Sequence, residues 1–169
     1  TTNKILDVLI NSGRSKDIEL QFCTNGSPSK KVVKRLLDNF GSIDFCFSID
    51  AWGERNSIIR KHSSWEFTED RLWDYAELIY NYDNFRMSLN PCVSVLNIGY
   101  LYEFEPFVSQ FKFLNGKDPK LTFSVSNTLA YPDELNAAYL PINVKKQYWN
   151  LNKEFLQSDL IINGEATSV

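Results

Sequence analysis

The sequence predicts an α/β fold, a partial (β/α) barrel in which a mostly parallel, curved sheet carries helices on its outer face. Strand-like and helix-like segments alternate along the chain, and connections of this length join parallel strands. Apolar and small polar residues also alternate within each strand, whereas strands covered by helices on both faces are apolar almost throughout. A flat open sheet with one solvated face is the alternative that fits the same alternation.

Helices are predicted where apolar residues recur three and four positions apart. The first, at residues 3–12, places Ile5, Val8 and Leu9 on one side. A polar loop follows the second strand, and Thr68 is then the predicted N-cap of the next helix, ahead of acidic residues that favour a first turn. The remaining predicted helices are 29–40, the one after Thr68 with Leu72, Trp73, Ala76 and Ile79 on one face, 99–112 and about 143–157.

Four predicted strands each have an apolar and a polar face, because successive side chains point to opposite sides of a sheet. The strands are 18–23, 42–50, 85–95 and 121–126. The apolar parity comprises Ile18, Leu20, Phe22, Ile43, Phe45, Phe47, Phe85, Met87, Leu89, Val93, Leu121, Phe123 and Val125. The polar parity comprises Glu19, Gln21, Cys23, Asn25, Asp44, Cys46, Ser48, Asp50, Arg86, Ser88, Asn90, Cys92, Ser94, Thr122, Ser124 and Ser126. We expect the polar face to be an interior wall that meets a ligand.

Composition limits the classes of partner. A net charge of −3 gives no electrostatic basis for binding nucleic acid or an anionic membrane surface. No apolar run approaches the roughly 20 residues that span a bilayer. Three widely spaced cysteines argue against a disulfide framework and favour a reducing, cytoplasmic location. The 169 residues suit one domain, and a start without methionine inside a predicted helix suggests a piece of a longer protein.

Several segments, taken in order, carry a likeness to a known family. "FCTNGS" is followed one helix later by "DFCFSIDAWGERNSIIRKHSSWE", then by "PCVSVLNIGYL" and "SVSNTLAYPDELNAAYLPINVKK". Across about residues 16–146 the chain resembles strands three to six of radical S-adenosylmethionine enzymes, most closely those with a twitch-type C-terminal extension. The resemblance implies a single domain over 1–169, the C-terminal two-thirds of a (β/α)6 partial barrel, with 158–169 as a tail.

In that family a [4Fe-4S] cluster, held by a C-x3-C-x2-C loop, cleaves S-adenosylmethionine reductively to a radical that abstracts hydrogen from a substrate. This chain departs from the pattern. Its cysteines, Cys23, Cys46 and Cys92, lie far apart, and no Gly-Gly-Glu-Pro-like segment is present to hold the methionine amino group. We therefore expect S-adenosylmethionine and the cluster in the full-length parent, no cofactor or metal bound to this chain, no catalytic residue in it, and no activity from it alone.

The resemblance also implies cosubstrate-binding residues at the carboxyl ends of the strands. A serine donor suits the cosubstrate carboxylate, an acidic acceptor suits ribose hydroxyls, and arginine suits bidentate carboxylate binding. The candidates are Thr24, Asn25, Ser48, Asp50, Arg60, Ser94, Asn97 and Tyr131. Simpler interpretations stay open: strand-ending and Asn-Gly turns, a surface arginine beside Lys61, and core packing of Tyr131.

The other chemically active side chains have plainer predictions. The single histidine, His62, is expected to be a solvated loop residue, and the three cysteines to be small buried thiols and not a metal site. Trp52, Trp65 and Trp73 are expected to pack in the core or between helices.

Two other functions remain alternatives: a non-enzymatic ligand-binding or scaffold α/β domain without a cluster, and an unrelated hydrolase. The sequence has a single histidine and neither a serine elbow nor a Cys-His arrangement, so it does not supply the nucleophile–base pair that a hydrolase needs. The substrate is unknown. The expected partner is a second copy of the chain, through an exposed sheet edge at 18–23.

Overall fold

The centre of the protein is a parallel four-stranded sheet. The computed structural model describes residues 2–111, 120–125, 127–159 and 161. Its strands are β1 (Glu19–Thr24), β2 (Ser42–Phe47), β3 (Phe85–Leu89), β4 (Cys92–Val93), β5 (Leu121–Phe123) and β6 (Asn127–Thr128). The main sheet has the order β1-β2-β3-β5, and β4 pairs in parallel with β6. The predicted α/β class and the sequential order of parallel strands are confirmed.

Two predicted strands are each divided in two. The run at 85–95 breaks after Leu89 because Pro91 has no N–H to donate to the sheet. Leu89 pairs with Phe123, and the next paired positions are Cys92 and Asn127. The paired positions are three residues apart in the first run and four residues apart in the second. The predicted strand at 121–126 is therefore interrupted as well. Ser126 lies outside the described residues.

Six α-helices connect or flank the strands in the described part of the chain. They are α1 (Thr2–Asn11), α2 (Lys30–Asn39), α3 (Glu54–Ile59), α4 (Trp65–Asn81), α5 (Glu105–Val108) and α6 (Ile142–Leu156). None of these helices combines the length and the apolar character that crossing a bilayer requires. The predictions for α1, α2 and α6 are confirmed to within a residue or two.

The helix after the second strand begins earlier than predicted. Its N-cap is Ser64, whose Oγ accepts a hydrogen bond from the Phe67 N–H at 3.2 Å. Thr68 lies inside α4 and donates to the Ser64 carbonyl at 3.0 Å, so the prediction that it caps the helix is wrong. The preceding segment, predicted as a loop, contains α3. The earlier start of α4 arises because Ser64 supplies a capping oxygen one turn before Thr68.

Three further helix predictions need correction. The segment 99–112 is a series of short turns (101–104, α5 and 109–111), and residue 112 lies outside the described part. In α1 it is Leu6 that is buried, while Ile5 and Val8 are 58% and 67% exposed. In α4 Trp73 is 45% exposed, and Tyr75 occupies the buried face instead.

The apolar parity of the strands forms the core with the helices. The ring of Phe45 packs edge-to-face on Tyr75 of α4 at 5.4 Å and on Phe85 at 5.3 Å. On the same face, near the β5 edge of the sheet, Phe123 lies 5.0 Å from both Phe104 and Phe155 of α6. Edge-to-face aromatic pairs add about 0.5–1.5 kcal/mol each beyond their buried area. The helices therefore cover one face of the sheet, and the Ser48 parity faces away from them, as predicted.

The two edges of the sheet differ from each other. Ile161, in the predicted tail, forms a parallel bridge to Phe123 beside β5. Among the described residues β1 pairs only with β2, so its outer edge has no strand partner. Glu19, Gln21 and Cys23 on that strand are exposed. An unprotected edge of this kind presents unpaired N–H and C=O groups to other chains.

We expect the protein to self-associate through β1, and Gln21→Lys to weaken that association because a charge on an edge strand opposes pairing. Size-exclusion chromatography with light scattering measures the effect over a range of concentrations. Gln147→Lys, the same change at an exposed position of α6, is the control and leaves association unchanged. A monomer at high concentration, or equal effects of the two lysines, would contradict the prediction.

Candidate functional site

Small polar side chains cover the face of the sheet opposite the described helices, near the carboxyl ends of its strands. The strand backbone pairing continues past the strand ends, since Ser48, Asn90 and Ser124 donate to carbonyls of neighbouring strands at 2.7, 3.3 and 3.0 Å. We call this surface the polar wall. It comprises six half-buried residues, Cys46, Ser48, Ser88, Asn90, Thr122 and Ser124. Their hydroxyl, amide and thiol groups can both donate and accept hydrogen bonds.

Asp50, just beyond β2, connects the end of β2 to the start of β4 through hydrogen bonds. One carboxylate oxygen accepts from the Cys92 N–H at 2.9 Å, and the other accepts from Nη1 of Arg60 at 2.9 Å. The side chain of Asp50 is 12% exposed and that of Arg60 is 30% exposed. Bonds between ionised groups and amides in such a partly dry site are stronger than neutral ones. Asp50 and Arg60, each predicted to bind a ligand, therefore form an ion pair with each other.

Two buried asparagines hold the backbone around Asp50. Asn97, fully buried, donates to the Asp50 carbonyl at 2.6 Å and to the Cys92 carbonyl at 3.0 Å, and accepts from the Ser94 N–H at 2.7 Å. Asn56 of α3 accepts from the Asp50 N–H at 3.1 Å. Ser94 and Asn97, both predicted to reach a sugar, are thus engaged in binding the protein's own backbone.

Thr24, Asn25 and Ser48 all line an open cleft of about 490 Å³. The apolar part of its lining comes from side chains of α1, α2 and the first two strands, namely Leu6, Phe22, Val32, Leu36 and Phe45. Asn25 Oδ1 accepts from the Ser27 N–H at 3.2 Å, which is the Asn turn named as a simpler interpretation. The cleft combines apolar surface with polar groups, as small-molecule sites do.

Gly26 lies close to the end of β2. Its φ is +84°, and a Cβ there would lie 3.0 Å from the Phe47 ring and 3.2 Å from Arg71 Cβ. Only glycine combines that backbone conformation with so close an approach. The buried Thr24 hydroxyl accepts from the Gly26 N–H at 3.1 Å. The glycine in "TNG" therefore fixes the turn after β1, where the Thr24 carbonyl accepts from the Ser48 N–H at 2.7 Å.

Tyr131 and His62 are both exposed side chains. Tyr131 is 82% exposed, so the core-packing interpretation of it does not hold. His62 is exposed, with a φ of 71°, in the turn before α4. Trp52 packs on Trp65 at 4.9 Å, and Trp73, although exposed, lies 5.2 Å from Phe107, so these rings have the packing roles expected of them.

The cysteines differ from the prediction of small buried thiols. Cys23 is exposed on the edge strand, and Cys46 and Cys92 are half-buried. Burial raises the pKa of the Cys46 thiol above its usual value, against hydrogen bonds from Ser88 and Asn90 that lower it. Burial also raises the pKa of Cys92, with the nearby Asp50 charge as a further cause. Among the described residues no three His, Cys, Asp or Glu side chains are placed to hold a metal ion.

Sequence reasoning did not identify Asn56 or the roles of Ser88 and Asn90. Asn56 follows "GER" in a segment predicted as a loop, and only the presence of α3 brings its side chain under Asp50. Ser88 and Asn90 had a usable signal, because they belong to the polar parity of their strand, next to Cys46.

Comparison with known proteins gives no relative: no family model, curated protein or solved structure matches the chain.

We expect Asn97→Ala to lower the free energy of unfolding by about 2–4 kcal/mol, because buried backbone groups near Asp50, Cys92 and Ser94 lose their partner. Urea denaturation measures the change. Asn25→Ala removes the same amide from an exposed turn and is expected to cost less than about 1 kcal/mol. Equal costs for the two substitutions would contradict the role assigned to Asn97.

Proposed function

We propose that this chain forms part of the S-adenosylmethionine-binding wall of a radical S-adenosylmethionine enzyme. The observation that carries the proposal is the polar wall: small hydrogen-bonding side chains on three neighbouring parallel strands, gathered at their carboxyl ends and covered by none of the described helices. Ligands of parallel α/β sheets and barrels bind at that end of the strands. The resemblance of "FCTNGS" and "DFCFSIDAWGERNSIIRKHSSWE" to the family supports the same function.

Several of the candidate residues can bind or orient the cosubstrate, in roles that differ from those expected from the sequence. Arg60 uses one nitrogen on Asp50 and retains further N–H donors on a partly exposed guanidinium, which can bind the methionine carboxylate. Asp50 then orients Arg60, since one of its oxygens accepts from that guanidinium while the other accepts from the Cys92 N–H. Ser48 and Asn90 on the polar wall supply groups for hydroxyls. When bound, S-adenosylmethionine would supply the radical precursor.

The iron–sulfur cluster does not fit the residues of this chain. Cys23 and Cys46 face each other in register, but Cys92 lies beyond the strand break beside Asp50, and no third ligand joins the pair within the described residues. The chain's own part in the proposed reaction is therefore to bind and orient the cosubstrate.

A non-enzymatic ligand-binding domain is the second candidate. The observation that favours it is the internal use of Asp50, Ser94 and Asn97, three candidates whose polar atoms bind protein groups. Such a domain would offer the cleft beside β1, with its apolar lining and its polar groups at Thr24 and Ser48, to a ligand unrelated to S-adenosylmethionine.

We expect S-adenosylmethionine to bind this chain only weakly. Hydrogen bonds net about 0.5–1.5 kcal/mol each, against an association cost of at least about 4 kcal/mol. Calorimetry is expected to show no heat at sub-millimolar ligand. At millimolar ligand, ¹H–¹⁵N spectra are expected to show shifts confined to the amides of Ser48 and Asn90 and the Nε–H of Arg60.

Arg60→Gln is expected to remove these shifts. Arg35→Gln, at a surface arginine paired with Asp7, keeps them and serves as the control. A micromolar dissociation constant would refute the expected weakness. Millimolar shifts that are absent, or that centre on Ser42 and Arg86 away from the polar wall, would refute the proposed function and leave the second candidate.

A further inference from the structure

Cys23 and Cys46 are direct neighbours across β1 and β2. They are paired in the strand register, on the face opposite the described helices. Adjacent strands lie about 4.8 Å apart, within the range of Cα separations that a disulfide can span. The two thiols also interact, because Cys23 is one of the groups that raise the pKa of Cys46. Both cysteines are free.

The surroundings of the two thiols differ. Cys23 is exposed, on the outermost strand and in the lining of the cleft, where a small reagent can reach it. Cys46 is half-buried, with Ser88 and Asn90 around it. An accessible thiol beside a sheltered one is the arrangement in which one cysteine reacts first and the other resolves the product. The function proposed above assigns a ligand contact to neither thiol, although Cys46 belongs to the polar wall.

We propose that Cys23 and Cys46 form a redox-active dithiol that small-molecule disulfides oxidise to an intramolecular bridge between β1 and β2. The Cys23 thiolate attacks one sulfur of the reagent, forming a mixed disulfide and releasing one thiolate. The Cys46 thiol then loses its proton to solvent and attacks the Cys23 sulfur, which releases the second thiolate. Two protein thiols are oxidised, one small disulfide is reduced to two thiols, and excess thiol reverses the reaction.

The bridge would change β1, the edge strand of the sheet. β1 has a strand partner on one side only in the described part of the chain, and a bond to β2 ties it covalently to the sheet. The loop that the bond closes contains α2, and closing such loops stabilises folded proteins. Cys23 and Ser48 both line the cleft, so oxidation also alters the polar part of its lining.

The test incubates the whole chain with oxidised glutathione, quenches free thiols with iodoacetamide, and reads intact mass and tryptic peptides. We expect one free cysteine, Cys92, and a Cys23–Cys46 cross-linked peptide without bound glutathione. The melting temperature is expected to rise by roughly 5–10 °C and to return with reductant.

Three serine variants make the test specific. Cys46→Ser is expected to stop at a glutathione adduct on Cys23, Cys23→Ser to stay largely unmodified, and Cys92→Ser, the matched control, to form the bridge like the natural chain. Melting each variant under reducing conditions establishes that it is folded. A stable glutathione adduct on Cys23 in the natural chain, a bridge that includes Cys92, or a Cys23–Cys23 dimer would overturn the proposal.

Discussion

The structure depends on one constraint, the burial of one parity of side chains along four parallel strands. Phe45 shows its effect, because that ring lies within 6 Å of Phe22, Tyr75 and Phe85 and joins three strands or helices at once. A strand cannot bury both parities unless helices cover both faces. Here they cover one, so serine, threonine, asparagine and cysteine occupy the other face. The polar wall is therefore a consequence of the core, and any ligand site on it takes its geometry from the packing of the opposite face.

The two edges of the sheet beside the polar wall differ in how many interactions hold them in place. Near β3 and β4, Asp50 joins the end of β2 to Arg60 and to the Cys92 backbone, while Asn97 binds the carbonyls of Asp50 and Cys92. At β1 the strand has one neighbour within the described residues, and the cleft and the exposed Cys23 are found there. The firm side suits a binding residue that must keep its orientation, such as Arg60. The open side suits association and the proposed thiol chemistry, because both require access.

The sequence predicted much of what depends on periodicity, although the helix expected at 99–112 is a series of short turns. The strands, their parallel order and the buried parity follow from alternation, and α2 and α6 follow from helical spacing. Features set by single residues escaped the prediction: the break at Pro91, the cap at Ser64 and α3 with its Asn56 each depend on a local competition between hydrogen-bond partners. Asp50 and Arg60 were named as ligand-binding residues, but sequence spacing does not reveal that their charges satisfy each other across a loop.

Neighbouring residues of β3 face opposite environments, a packed core and an open polar wall. Met87 is 2% exposed, and Ser88 is half-buried on the wall. Urea denaturation of Met87→Asp and Ser88→Asp tests this directly. An unpaired carboxylate in the core costs several kcal/mol, so Met87→Asp is expected to lose more than about 4 kcal/mol or to fail to fold, and Ser88→Asp to lose about 1 kcal/mol or less. Comparable losses for both variants would show that the second face is packed as well, and would contradict the account.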